Sequence, residues 1–184
     1  MKNRYETFKQ LYEIKKLEKN DKISSFDCGD GDLNDFVLNN AALYKRERLA
    51  ESYALKEKIS NDIVAFFSLS NDKISVTDFD DKNKYNRFSR RFNNRKRLKS
   101  YPAVKIGRLG VSVDNKGKSI GSFIIDFVKA YFVFNNKSGC RFITVDAYSD
   151  AIPFYQKNGF VPINDADIND KTRLLYFDLN DIND

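Results

Sequence analysis

The fold is decided by one stretch, Val104–Phe134, which reads VKIGRLGVSVDNKGKSIGSFIIDFVKAYFVF. Its first ten residues, Val104–Val113, are mostly β-branched and apolar, which predicts a buried strand interrupted by Gly107 and Gly110. Further on, apolar residues recur at the spacing of one helical face, at Ile120, Phe123, Ile124, Phe127, Val128 and Tyr131. The stretch therefore predicts a strand that turns through a basic, glycine-containing loop into a helix.

The junction between this loop and the helix is a candidate anion site. The first N–H groups of a helix lack partners and the helix dipole is positive there, so phosphate is the natural ligand. Gly117-Lys118-Ser119 resembles the end of a P-loop, but the first glycine of that motif would have to stand at Ser112. A plain strand-to-helix turn without a ligand is the alternative that the residues leave open.

The loop resembles the pyrophosphate loop of the GCN5-related N-acetyltransferase (GNAT) superfamily, Gln/Arg-x-x-Gly-x-Gly/Ala after a strand of the type Leu-Ala-Val. Here the counterparts are Lys116, Ser119 and Gly121, preceded by Leu109-Gly110-Val111. Lysine keeps the positive charge, whereas Ser119 adds a β-carbon where the family has glycine. A second segment, AIPFYQKNGF at Ala151–Phe160, resembles the family pattern Ala-x-x-Phe-Tyr-x-x-x-Gly-Phe.

The resemblance implies an α/β (α+β) fold, the GNAT acyl-CoA N-acyltransferase fold, formed by residues 1–184 as a single domain. It implies a mixed central sheet of six to seven strands flanked by helices, with parallel strands that splay apart at the cofactor cleft. The implied cofactor is acetyl-CoA, with no metal. Its implied contacts are Leu109, Gly110, Val111, Val113, Lys116, Gly117, Lys118, Ser119, Ile120, Gly121 and Ser122.

Tyr155 is the catalytic residue that the resemblance implies, as the group that meets the departing thiolate. A thiol has a pKa of about 8.5 and a phenol about 10, so complete proton transfer from Tyr155 would be uphill by about 2 kcal/mol. We therefore expect Tyr155 to donate a hydrogen bond. The alternative is a core aromatic beside Phe154. The chain has no histidine, which excludes a histidine base and leaves the general base unidentified.

The rest of the sheet follows from short apolar runs elsewhere in the chain. Strands are predicted at Tyr12–Leu17, Glu51–Lys56, Asp62–Ser70, Arg141–Ala147 and Arg173–Leu179, with Lys73–Phe79 extending the sheet. The strand, helix and strand from Val104 to Ala147 form a βαβ unit, which makes its two strands parallel. Asp30 or Asp32 is available to cap a helix that begins near Leu33.

A basic tract between Lys84 and Lys99 holds eight of the chain's basic residues and no acidic one, although the whole chain carries only +6. Tyr85, Phe88 and Phe92 lie at helical spacing within it, which predicts a helix that docks by its aromatic rings and presents its cations outward. Two interpretations of these cations remain: a solvated helix face, and a surface that binds nucleic-acid phosphates. The candidate substrate contacts are Arg87, Arg90, Arg91, Arg95, Lys96 and Arg97.

Three segments together resemble a GNAT subgroup of toxins that acetylate the amino acid on charged tRNA. They are the opening Phe26…Gly29…Leu33-Asn34-Asp35-Phe36, then Arg108-Leu109-Gly110-Val111, and Val145-Asp146-Ala147. This implies tRNA as a substrate, an antitoxin as a partner and a homodimer. A small-molecule or protein N-terminal acetyltransferase, and a non-catalytic RNA-binding protein on the same fold, are the alternatives. The sequence shows no signal-peptide core and no membrane-spanning run, so we expect a cytoplasmic protein without a membrane contact.

Overall fold

The structure is a computed structural model that describes residues 2–92, 98–134, 138–165 and 167–182. Its α-helices are Lys2–Leu11 (α1), Gly31–Asp35 (α2), Ala41–Arg46 (α3), Lys82–Ser89 (α4), Ile120–Phe134 (α5) and Ile152–Lys157 (α6). Its strands are Tyr12–Lys16 (β1), Glu51–Glu57 (β2), Ile63–Ser75 (β3), Ser100–Val111 (β4), Phe142–Tyr148 (β5), Val161–Pro162 (β6) and Thr172–Asp178 (β7). No helix of this described part is long and apolar enough to cross a membrane.

The strands hydrogen-bond in the order β1-β2-β3-β4-β5-β7-β6, which confirms the predicted mixed sheet of six to seven strands. β4 and β5 are parallel, with Ala103 opposite Phe142 and Lys105 opposite Thr144. The β1–β2, β2–β3, β5–β7 and β6–β7 pairs are antiparallel. β1 and β6 are the edge strands, and the parallel βαβ unit predicted from the central stretch is present.

The chain divides into two compact units, one made of Met1–Ser70 and Ile106–Val128, the other of Asn71–Lys105 and Lys129–Asp184. In the first unit, one apolar cluster joins the loop before α2, the following helical segment and the middle of β2 and β3. Its buried members are Leu17, Phe26, Cys28, Phe36, Val37, Ala41, Ala54 and Phe66. α5 buries Ile120, Phe123, Ile124 and Val128 of the predicted apolar face, whereas Phe127 is partly exposed and Tyr131 is exposed. The Phe123 ring stacks on Phe8 of α1 at 4.4 Å.

The second unit is built on an aromatic cluster that packs α4 against β4, β5 and β7. Its buried members are Ile74, Tyr85, Phe88, Tyr101, Ala103, Phe142, Ile163 and Tyr176. Tyr85 and Phe88 are buried in α4 and Phe92 lies against the same cluster, so the predicted docking of this helix by its aromatic rings is confirmed. The predicted extension of the sheet ends early, because β3 stops at Ser75 and a 3-10 turn, Val76–Asp78, follows it.

Candidate functional site

β4 departs from a regular strand between Gly107 and Gly110. A β-carbon on Gly107 would lie 3.3 Å from Ser68 Oγ, and one on Gly110 would lie 2.7 Å from Phe66 Cε1. Ser68 and Phe66 share one face of β3, whereas residues three apart on a regular β4 would point to opposite faces. One extra residue is therefore taken up between the two glycines. This is a β-bulge, which leaves a residue out of the hydrogen-bonded ladder.

The loop after β4 is anchored through its main chain. Ser112 N–H donates to the Val64 carbonyl at 2.9 Å, and Val113 N–H donates to the Asp27 carbonyl at 3.0 Å. Asn115 then holds both sides of the turn, because its Nδ2 donates to Ser112 Oγ and its Oδ1 accepts from Lys118 Nζ, each at 2.9 Å. The loop therefore enters α5 in a defined conformation.

A row of main-chain N–H groups at the start of α5 has no protein acceptor. Within the part of the chain that the structure describes, no hydrogen bond uses the N–H groups of Gly117, Ser119, Ile120, Gly121 or Ser122. The first closed turn comes one residue later, where Phe123 N–H donates to the Ser119 carbonyl at 3.1 Å. Free N–H groups at a helix N-terminus form an anion site, and phosphate is its usual ligand.

Two residues of this loop adopt left-handed backbone conformations. Gly117 has φ +78°, and no atom lies within 4 Å of a β-carbon built on it. Ser119 has φ +62°, a conformation that glycine adopts freely and that costs other residues about 1–2 kcal/mol. The backbone at Ser119 therefore keeps the shape that glycine favours, although a side chain is present.

The loop also presents positive charge. Lys116 makes no ion pair with any residue of the described ranges, and its Nζ would lie 3.3 Å from a β-carbon built on Gly29. Nearby, Asp27 Oδ1 accepts hydrogen bonds from Gly29 N–H at 2.8 Å and Asn34 Nδ2 at 2.9 Å. These two bonds, with a smaller contribution from the Lys116 charge, lower the pKa of Asp27. Asp27 thus stays ionised while it shapes the turn beside Lys116.

Cys28 lies in the same turn and is buried. Its Sγ is 3.2 Å from Asn34 Oδ1 and its N–H donates to the same oxygen at 2.9 Å. Burial raises the pKa of the Cys28 thiol, so the sulfur stays protonated at neutral pH. A protonated, buried thiol is a poor nucleophile, and Cys28 is therefore part of the packing beside the β4 bulge.

Tyr155 lies in the second unit, on α6. Its side chain is only 7% exposed, and its ring lies edge-on to Phe154 at 5.0 Å and to Phe160 at 5.4 Å. In the described part of the chain the hydroxyl has no hydrogen-bond partner, and burial raises the pKa of Tyr155. The ring therefore packs among aromatic core residues, while the hydroxyl remains a protonated donor.

The basic tract is described only in part. Arg87, Arg90 and Arg91 are exposed, as the sequence predicts. Arg91 also packs on the aromatic cluster, since its Cζ is 4.9 Å from the centroid of the Phe88 ring and its Nη2 donates to Tyr176 Oη at 2.6 Å. The other three predicted contacts, Arg95, Lys96 and Arg97, lie outside the described residues.

Comparison with models of known protein families finds a match in the second half of the chain. Residues 93–177 match the model of the acetyltransferase (GNAT) domain. This segment is similar to GNAT acetyltransferase domains. The match runs from the basic tract through the β4 bulge, the phosphate loop and Tyr155 to β7, and so includes both segments that resembled the family. No curated protein sequence matches the chain.

Solved structures share the fold of this chain over almost its whole length. A structure described as a bacterial toxin has a TM-score of 0.75 at 15% identity, covering 93% of this chain and 92% of that one. AtaTR bound with AcCoA has a TM-score of 0.70 at 19% identity and coverages of 94% and 96%. AtaT complexed with acetyl-methionyl-tRNAfMet has a TM-score of 0.70 at 20% identity and coverages of 92% and 96%. These likenesses establish the fold.

Arg108 belongs to a segment that resembles the toxin subgroup, but no role for its side chain was predicted from the sequence. Arg108 lies inside the β4 bulge, half-buried, with its guanidinium over the ring of Phe36. An arginine between two glycines of an otherwise apolar strand is the sequence feature that points to such a role.

In the described part of the chain, no group of three or more His, Cys, Asp or Glu residues could hold a metal ion.

Proposed function

We propose that this chain is an acetyl-CoA-dependent N-acetyltransferase that acetylates the amino group of aminoacyl-tRNA, as the toxin of a toxin–antitoxin pair. The observation that carries the proposal is a set of main-chain N–H groups that have no acceptor among the described residues and lie beside the side chains of Lys116 and Lys118. They belong to Gly117, Ser119, Ile120, Gly121 and Ser122. A diphosphate needs several converging donors and positive charge, and this helix start offers both. The match of residues 93–177 to the GNAT domain model includes this loop and supports the proposal.

The donor-binding residues are proposed from the loop and the bulge together. Lys116, Gly117, Lys118, Ser119, Ile120, Gly121 and Ser122 would hold the diphosphate of acetyl-CoA. Main-chain groups of Leu109, Gly110, Val111 and Val113 would bind the pantetheine arm and the acetyl carbonyl, where a main-chain N–H stabilises the developing oxyanion. Acetyl-CoA supplies a thioester, whose C–S bond breaks as the acceptor amine forms the amide bond.

Tyr155 would donate a hydrogen bond from its hydroxyl group to the departing sulfur and keep its proton. Burial raises the pKa of Tyr155 above that of a free phenol, which makes complete proton loss still less favourable than the sequence-based comparison of phenol and thiol suggested. A hydrogen bond that strengthens as charge develops on the sulfur needs no proton loss. We therefore assign Tyr155 the role of a hydrogen-bond donor, with water completing the protonation.

The acceptor is proposed from the basic tract and the fold. Arg87, Arg90 and Arg91 expose cations on or just beyond α4, as an RNA backbone requires. The solved structures that share the fold include AtaT complexed with acetyl-methionyl-tRNAfMet and the KacTA–DNA complex. An antitoxin partner, a homodimer and a cytoplasmic location are parts of the same proposal, because charged tRNA is a cytoplasmic substrate.

The test is transfer of labelled acetyl from acetyl-CoA to a pool of aminoacyl-tRNAs. We expect label on charged tRNA, none on deacylated tRNA, and its release with the amino acid when the ester is hydrolysed in mild base. Label on free amines or peptide N-termini instead would assign a different acceptor. Complete absence of transfer, with no rise of melting temperature in saturating acetyl-CoA, would indicate a non-catalytic protein.

A further inference from the structure

Arg108 is held in an aromatic clamp, defined here as the rings of Phe36 and Tyr44. Its Cζ lies 3.8 Å from the centroid of the Phe36 ring and 5.0 Å from that of Tyr44. The two rings meet edge to face, with centroids 5.2 Å apart and an interplanar angle of 82°. Cation–π contacts of this kind fix the plane of a guanidinium while leaving its N–H groups at the rim.

A π-helical turn brings the two rings of the clamp together. Phe36 and Tyr44 are eight residues apart, and a continuous α-helix would place them about 80° apart around its axis. Instead, Phe36–Asn40 is π-helical, with Ala41 N–H donating to the Phe36 carbonyl. Because the π turn contains one more residue than an α turn, it brings Phe36 and Tyr44 back to the same side of the helix, where both rings contact Arg108. Single π turns inside helices are frequently found at functional sites.

The clamped guanidinium has no polar partner. Arg108 forms no ion pair and donates no side-chain hydrogen bond to any residue that the structure describes. Other arginines over rings do have one, since Arg141 pairs with Asp178 at 2.8 Å and Arg91 donates to Tyr176 Oη. A half-buried guanidinium that is held in place by two rings and has no acceptor among the described residues keeps its five N–H donors available to an anion.

This anion is not the diphosphate of the acyl donor. α5 packs on the face of β3 that carries Phe67, since the rings of Phe67 and Phe127 lie 6.1 Å apart. Phe66 points to the opposite face, where its ring lies 6.2 Å from that of Phe36. The helix that starts at the phosphate loop and the clamp on Arg108 are therefore on opposite faces of the sheet.

We infer that Arg108 binds the 3′-terminal phosphodiester of the RNA acceptor and so positions the aminoacyl group for transfer. The inference rests on the proposed function, which makes an RNA the acceptor. A planar guanidinium offers two parallel N–H groups to two oxygens of one phosphate, and RNA has no other anion. Arg108 is thus a positioning residue for the acceptor.

The inference is tested by binding, without turnover. The probe is a fluorescent minihelix ending in CCA with an amide-linked, unreactive aminoacyl group, made with either a normal or a methylphosphonate last linkage. Fluorescence anisotropy is measured with the full chain, Arg108→Gln, Arg108→Lys and the control Arg46→Gln. Arg46 is exposed at the end of α3, so this control removes one charge from the same region.

We expect the methylphosphonate to weaken wild-type binding about tenfold, the size of one charged hydrogen bond. Arg108→Gln should bind the normal probe about tenfold more weakly than wild type does, and it should bind the methylphosphonate probe with the same affinity as the normal one. Arg46→Gln should still show the wild-type difference in affinity between the two probes. Arg108→Lys keeps the charge but lacks the two parallel N–H groups of a guanidinium, so the methylphosphonate should weaken its binding less than it weakens wild-type binding. This variant provides the test if Arg108→Gln does not fold.

Equal wild-type affinity for both probes, or full sensitivity of Arg108→Gln to the methylphosphonate, would overturn the inference. So would a wild type that does not bind the probe at all. Acetyl transfer is measured in parallel on an aminoacyl-tRNA. If Arg108→Gln and the methylphosphonate weaken binding without adding to each other, but no acetyl is transferred, the Arg108 contact is supported and the proposed activity is refuted. If acetyl is transferred but the two effects are independent, the activity is supported and the Arg108 contact is refuted.

Discussion

Gly110 leaves room for the ring of Phe66 to reach the backbone of β4. A β-carbon at position 110 would stand 2.7 Å from Phe66 Cε1 and 3.3 Å from Cys28 Sγ. Phe66 is completely buried, between the rings of Phe26 and Phe36, so its ring has no space into which it can turn. The shape of the strand at the proposed acetyl site is therefore fixed from the core.

Replacing this glycine should loosen the core. We expect Gly110→Ala to lower the free energy of unfolding by about 1–3 kcal/mol, the usual penalty of overpacking, as measured by urea denaturation. Gly139→Ala is the matched control, because no atom lies within 4 Å of its added β-carbon, and it should stay within about 0.5 kcal/mol of wild type. Equal midpoints for both variants would contradict the contact with Phe66.

Ser119→Gly should stabilise the protein. Ser119 has φ +62°, and relief of this strain outweighs the greater freedom of glycine in the unfolded chain by up to about 1 kcal/mol. Acetyl-CoA should bind the variant at least as tightly as wild type by calorimetry, because the backbone shape is kept. Asn61→Gly, at the same φ and outside the loop, is the control and should leave that affinity unchanged. A less stable Ser119→Gly would show that the hydroxyl matters more than the backbone.

Tyr155→Phe should lose activity without losing the fold. Removing a hydrogen bond that acts in the transition state typically costs about 10²-fold or more in kcat. The melting temperature should change little, because the hydroxyl has no partner within the described residues. Tyr148→Phe, on β5 and 42% exposed, is the control and should retain wild-type kcat. An unchanged kcat in Tyr155→Phe would leave that residue with a packing role alone.

Asp27 should make stability depend on pH in the acid range. Its pKa is lowered from 3.8, first by the Gly29 N–H and then by Asn34, so ionised Asp27 favours the folded state. This contribution is complete above the unfolded pKa and is lost as the pH falls through the lowered folded value. Urea midpoints of wild type and Asp27→Asn should therefore differ at pH 6 and converge on acidification. Parallel profiles from pH 6 to pH 2 would contradict this.

The basic tract should govern the salt dependence of RNA binding. If Arg87, Arg90 and Arg91 each contact one phosphate, their joint replacement by glutamine should reduce the slope of log affinity against log salt by about 3. Exposed lysines elsewhere, Lys19, Lys22 and Lys73, provide a triple variant with the same loss of charge and a smaller change of slope. Equal slopes for the two variants would mean that RNA binding depends on the net charge of the protein and not on phosphate contacts made by the basic tract. Circular dichroism checks that the loss of Arg91 leaves α4 docked.

Elements with a strong apolar period were predictable from the sequence. The strand and helix of Val104–Phe134 were found because β4 is rich in β-branched residues and α5 repeats its apolar residues at helical spacing. α1 was not predicted because Lys2–Leu11 is polar and charged through most of its length. Its few apolar residues do not form a periodic pattern that distinguishes a helix from a solvated, irregular segment. Asp30 does cap α2, accepting from Leu33 N–H at 3.0 Å, as the turn composition predicted.

Features of the candidate site that depend on tertiary fit were not predictable. The π turn at Phe36–Asn40 exists where two rings must meet one guanidinium, and no local propensity encodes that requirement. The left-handed backbone of Ser119 is disfavoured by its own residue type and is imposed by the loop. The roles of Tyr155 and of the loop, and the single domain of 1–184, stay predictions.

Both ends of the sheet are unsuited to templating another strand. β1, the edge strand of the first unit, carries Glu13, Lys15 and Lys16 in five residues, and β6, the edge of the second, is two residues long and includes Pro162. Charged edges and prolines discourage edge-to-edge pairing. These edges disfavour self-association through main-chain hydrogen bonds, so we expect a concentrated preparation to resist fibre formation.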